Sequence, residues 1–203
     1  MSIANVYISL AKDWALIGSD TAGRPWDDSN VPTGDPDRAM CKLLPIPLSN
    51  AILAVRGERT FYNFLWWQMI SSDRGSFDAL IEELPRAHER TKEEARKHQV
   101  TPYVDGTWAM VGWSERAQGM RFMSMKSKDG KIDTMDSFEQ GWRMMQAPPQ
   151  GMVTDSPEKM FECGKIQVRD TRHLHPEHAI GGQMLVAVLE RNRLTIENMG
   201  DLG

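Results

Sequence analysis

The chain has 203 residues, a net charge of -4, 40% apolar and 26% charged residues, and no apolar run near the roughly 20 residues that span a bilayer. That length fits a single domain over residues 1–203, and the interspersed charges lack the clustered basic face that nucleic acid requires. The expected partners therefore include neither a membrane nor nucleic acid, and the start Met1 to Val6, without a basic or long apolar segment, sets a cytoplasmic expectation.

Val6 to Ala11 and Trp14 to Ile17 read as two strands joined by a tight Lys12-Asp13 turn, and the second runs on through Gly18-Ser19 to Asp20. Residues 21 to 38, with three prolines, two glycines and four aspartates and no periodicity, read as an irregular loop. Cys41 to Leu48 and Ala51 to Gly57 form a second hairpin around Ser49-Asn50, with Pro45 and Pro47 placing the first strand at a sheet edge.

From Glu58 the period changes. Phe61, Leu65 and Met69 make a helical stripe that ends before Ser71. Trp66 and Trp67 point about 100° apart on that helix, so one enters the core and the other is free for a subunit contact. Ser76 caps a second helix carrying Phe77, Leu80, Ile81, Leu84, His88 and Ala95 at helical spacing, with Pro85 as a kink point.

Thr107 to Trp113 and Gly119 to Met125 are strands apolar on both faces, as strands between two layers are, and Ile132 to Phe138 follows as another after the turn at Lys128 to Lys131. Gln146 to Gly151 is a loop, then Asp155 or Ser156 caps a third helix with Pro157 at its first position. Gly182 to Leu189 and Leu194 to Ile196 close the chain as a hairpin. Strands, two helices, strands, one helix, strands is an α+β pattern of antiparallel sheets covered by helices.

Several residue groups carry no chemistry by spacing alone. Cys41 and Cys163 are far apart and read as buried structural thiols. Gly18, Gly23 and Gly57 form no phosphate-binding pattern, and no cofactor is expected. His173, His175 and His178 are metal-type side chains, but their spacing around Pro176 fits no ligand set, so no metal is expected there. The fourteen methionines read as fillers of irregular core gaps.

The opening hairpin ending at Asp20, the Cys41-Lys42-Leu43-Leu44 strand, the Ala51 to Gly57 step into a long helix and the late Gly181 to Val188 strand together resemble the proteasome β-subunit and HslV family of N-terminal nucleophile (Ntn) hydrolases. The resemblance covers most of the chain. It implies a four-layer αββα sandwich of the Ntn-hydrolase type and a site in which Lys42 lowers the pKa of a hydroxyl nucleophile. Asp20 would orient that lysine, and the Ala54 backbone N–H would stabilise the oxyanion.

A gapless alignment of the first hairpin puts the nucleophile position on Ala4, which has no nucleophilic side chain, and Leu185 stands where active members carry an aspartate. The expectation is therefore a degenerate, proteasome-like protein without its own peptidase activity. It would act as an assembling or binding subunit in a homo-oligomer or with a protein partner. The alternative is a peptidase or amidohydrolase that uses Ser2 after removal of Met1.

Overall fold

The computed structural model describes residues 4–23, 40–57, 59–98, 106–128, 131–138, 142–144, 152–175 and 180–203. The chain opens with β1 (Ala4–Ile8) and β2 (Trp14–Asp20), then β3 (Leu43–Ile46) and β4 (Ala51–Arg56). Helices α1 (Arg59–Ser72) and α2 (Phe77–Lys97) follow, then β5 (Gly106–Ser114), β6 (Gly119–Lys128), β7 (Lys131–Phe138) and β8 (Trp142–Met144). Helix α3 (Pro157–Leu174), β9 (Gln183–Glu190) and β10 (Arg193–Asp201) complete it. Among the described residues the strands form two antiparallel five-stranded sheets, ordered β10-β9-β2-β1-β8 and β3-β4-β5-β6-β7.

The first hairpin is longer in its turn than the Lys12-Asp13 dipeptide expected. Ser9 stops β1: its hydroxyl donates to Asp13 Oδ1 at 2.6 Å and accepts from the Asp13 N–H at 3.1 Å, while Lys12 takes a left-handed φ of 58°. The strand instead extends back to Ala4, and β8, a three-residue strand where the sequence indicated no element, pairs with it at Val6↔Trp142. So short a strand shows no period of its own. Both longer caps are as the spacing indicates: Ser76 accepts from Ala79 N–H and Ser156, not Asp155, accepts from Lys159 N–H, each at 3.3 Å. Helix α2 runs through Pro85 to Lys97.

Alternation along the strands divides the core in three. Ala15, Ile17, Leu43, Ile52, Ala54, Ala109, Val111 and Phe122 fill the space between the sheets. On the opposite face of the second sheet, Leu44, Leu53, Val55 and Met110 meet Phe61, Leu65, Leu80 and Leu84 of α1 and α2. Leu16, Met184 and Val186 meet Met160 and Val168 of α3 on the outer face of the first sheet. Each of the larger apolar side chains among them contributes about 1.5–3 kcal/mol on leaving water. A polar tie joins the last interface, where Asn5 of β1 and Gln167 of α3 exchange hydrogen bonds of 2.7 and 3.1 Å out of solvent.

The expected four-layer αββα sandwich of the Ntn-hydrolase type is corrected by this arrangement. Among the described residues there are three helices, two on one sheet and only α3 on the other, where it lies against β2, β9 and β10. One helix does not form a layer over five strands, and the described residues between β7 and α3 add a further strand, β8. Among the described residues the fold is sheet-rich: two packed antiparallel sheets with three helices. No helix among the described residues is long and apolar enough to cross a membrane.

Candidate functional site

Strand β2 pairs with both neighbours to its last residues, Ser19 with Ala4 of β1 and Asp20 with Met184 of β9, so the register delivers Asp20 to the rim of the first sheet. Beyond it the Thr21 and Ala22 N–H groups donate to the Gln183 and Gly181 carbonyls, both at 3.0 Å, and hold the chain beside the start of β9. Lys42 arrives from the other sheet, one residue before β3, anchored where its carbonyl accepts from Val55 N–H at 3.1 Å.

The Lys42 ammonium donates to Asp20 Oδ1 at 3.0 Å and to the Ala22 carbonyl, and Gly181 N–H donates to Asp20 Oδ2 at 3.2 Å. Both side chains are out of solvent, 4% and 0% exposed. The pair therefore bridges the two sheets at one end. Gly181 is required by conformation, its φ of 119° being one that side-chain-bearing residues rarely adopt, and a Cβ there would stand 3.0 Å from the Gly203 carbonyl oxygen.

Such an arrangement holds two charges in fixed geometry, with both carboxylate oxygens engaged. It also places a cation near the start of β1, where a nucleophile would be activated. The first described residue there is Ala4, 1% exposed, and its methyl offers no nucleophile. Ser2 lies outside the described residues. Ala54 is fully buried in the middle of β4, next in register to Lys42 through the Leu43↔Ala54 pair. Because Val55 N–H points to β3, ladder alternation turns the Ala54 N–H toward β5, where Ala109 is its partner.

His173 and His175 lie at the end of α3. His173 lies exposed in the last turn of α3 and His175 follows as its C-cap, its N–H donating to the Thr171 carbonyl at 2.7 Å; His178 lies outside the described residues. Among the described residues no three metal-type ligands converge. Cys163 is buried as expected, but Cys41 is exposed, because it precedes β3 at the rim instead of sitting within the strand.

Sequence reasoning missed the backbone half of the site. Gly181 N–H and the Ala22 carbonyl carry no side-chain signature, and only the Gly181-Gly182 dipeptide marks unusual backbone. It also took His88 only as a position on an apolar stripe. His88 is fully buried with both ring nitrogens lacking a hydrogen-bond partner, its ring edge-on to Phe61 and Trp108, each 5.4 Å away. Burial holds its pKa below the ordinary imidazole value, outweighing the pull of Glu89, whose carboxylate stands 3.6 Å from Nδ1.

No protein-family model matches the chain, and no curated protein matches it. Among solved structures, a Gly-1 mutant of Anbu from Hyphomicrobium sp. strain MC1 superposes with a TM-score of 0.65 at 8% identity, covering 98% of this chain and 88% of that one. Anbu from Yersinia bercovieri, described as an ancestral beta-subunit, gives a TM-score of 0.65 at 9% identity over 98% and 87% of the two chains. The fold is the one that Anbu chains adopt. Membership in the Ntn-hydrolase family, the expectation drawn from short motifs, is corrected by these findings. At 8% and 9% identity the likeness is one of backbone arrangement, which strand ends and glycine steps reproduce without shared chemistry.

Proposed function

We propose that the chain is a proteasome-like assembling subunit, without peptidase activity of its own, in which the Asp20–Lys42 pair is a structural brace. The observation that carries this reading is the engagement of the pair. Lys42 is committed to Asp20 and to the Ala22 carbonyl, and Asp20 to Gly181 N–H, across two sheets. A lysine held in this way locks the sheets at one end, and the strand it would serve begins, among the described residues, with an alanine. The Anbu-like fold, one neighbour of which is described as a beta-subunit, supports the subunit part of the reading. Trp67 supports it too, being 64% exposed on α1 while its neighbour Trp66 is tied inward by a 2.7 Å bond from Nε1 to the Pro45 carbonyl.

The test combines a hydroxyl-reactive acylating reagent with intact-mass measurement of the full chain. The expected result is an unlabelled chain. Labelling at Ser2 that is abolished by Ser2→Ala, with turnover of a peptide substrate, would sink the non-catalytic reading.

A further inference from the structure

Arg56, the last residue of β4, pairs with Thr107, and Thr107 pairs with Lys126 of β6, so the three form one transverse row of the second sheet. Register partners share a face, and so do residues two apart. Two positions inward the same face carries Ala54 and Ala109, which line the space between the sheets. The row therefore stands at the mouth of that space, at the end of the molecule where Lys42 meets Asp20, since Val55 N–H bonds to the Lys42 carbonyl.

The charges in this region are not balanced alike. Lys42 is neutralised by Asp20, and Lys126 lies 3.9 Å from Asp133 in a loose, solvent-exposed contact. Arg56 is half-buried, yet among the described residues its guanidinium makes no hydrogen bond or ion pair, and the Thr107 hydroxyl beside it makes none either. A guanidinium presents five N–H donors in a rigid fork, and leaving them unmade away from water is costly. Burial alone, with no counter-charge, pulls the Arg56 pKa below its usual value. What this fork matches in geometry and charge is a carboxylate, taken through two parallel hydrogen bonds.

We propose that the Arg56–Thr107–Lys126 row is a carboxylate-binding site at the mouth between the sheets, with Arg56 as the bidentate anchor and Thr107 as a neutral donor. The inference does not rest on the assembly reading. The carboxylate could belong to a small free acid or to the C-terminus of a peptide, and the two are separable by experiment.

The test follows the thermal midpoint and calorimetric binding of the full chain with succinate, with acetyl-trialanine bearing a free C-terminus, and with its C-terminal amide. At least one acid is expected to raise the midpoint while the amide does not; succinate identifies a small-acid site and the peptide acid alone a terminus site. Arg56→Met should weaken binding of that acid at least about 10-fold and Arg56→Lys by less, because a point charge replaces the fork. Without ligand, Arg56→Met should melt at or above the wild-type temperature, since it removes an uncompensated charge. A fall of several degrees would show that Arg56 is paired within the chain, and no response to either acid would show that the row binds no carboxylate; each result overturns the proposal.

Discussion

Lys42 and Asp20 are the two side chains on which the rim of the molecule turns. Ionised groups that leave water are stabilised only by each other and by aligned hydrogen bonds, and here the Ala22 carbonyl and Gly181 N–H add to the pair. Removing one partner leaves a buried charge without its counterpart. Lys42→Met and Asp20→Asn are each expected to cost about 3–5 kcal/mol in urea unfolding, and the double change Asp20→Asn with Lys42→Met less than the sum of its parts. A loss below about 1 kcal/mol for either single variant would mean that the pair does not brace the sheets.

At the scale of elements, α1, α2 and β5 meet around His88, whose neutral ring is edge-on to Phe61 and Trp108. Its folded pKa is lowered, first by desolvation and then by Lys92, against the opposing pull of Glu89. The sign follows directly: near pH 6.5 the unfolded chain takes up a proton that the folded chain refuses, so stability falls as pH drops below about 6.5. The slope reaches about 1.4 kcal/mol per pH unit until the folded ring itself protonates. His88→Phe should remove this component, so the stability difference between variant and wild type should widen in favour of the variant from pH 7 to pH 5.5 by urea titration. A difference that is constant with pH would refute it.

The same elements show what could be read before any coordinates. Periodicity located the three helices, because burying one face imposes a period, and most strands showed as short apolar runs between turns, several of them apolar on both faces as strands between two layers are. Ser76 and Ser156 marked helix starts through their capping chemistry. What escaped was decided by partners remote in sequence: β8 exists only because β1 offers it an edge, and the β1 boundary is set by Ser9 and Asp13. At the site, Asp20 and Lys42 were legible as types, but the Gly181 N–H that holds the carboxylate lies 161 residues away and has no side chain to announce it. The step from those residues to an Ntn hydrolase failed because strand-end aspartates and rim lysines also serve the fold.

For the whole molecule, the proposed assembly role turns on what the two packed sheets and their helices leave exposed. Helix α1 is apolar well beyond its inward stripe, and Trp67 projects from it into solvent. An exposed tryptophan contributes little to the stability of one chain, so Trp67→Glu should leave the unfolding free energy within about 0.5 kcal/mol of wild type while abolishing any contact built on it.

Sedimentation velocity of the wild-type chain and of Trp67→Glu, across a micromolar concentration series, tests the central claim most directly. The account predicts a discrete wild-type species several chains in mass, and its dissociation in the variant with unchanged circular dichroism. A wild-type protein that sediments at every concentration with the mass of one chain, indistinguishable from Trp67→Glu, would contradict it.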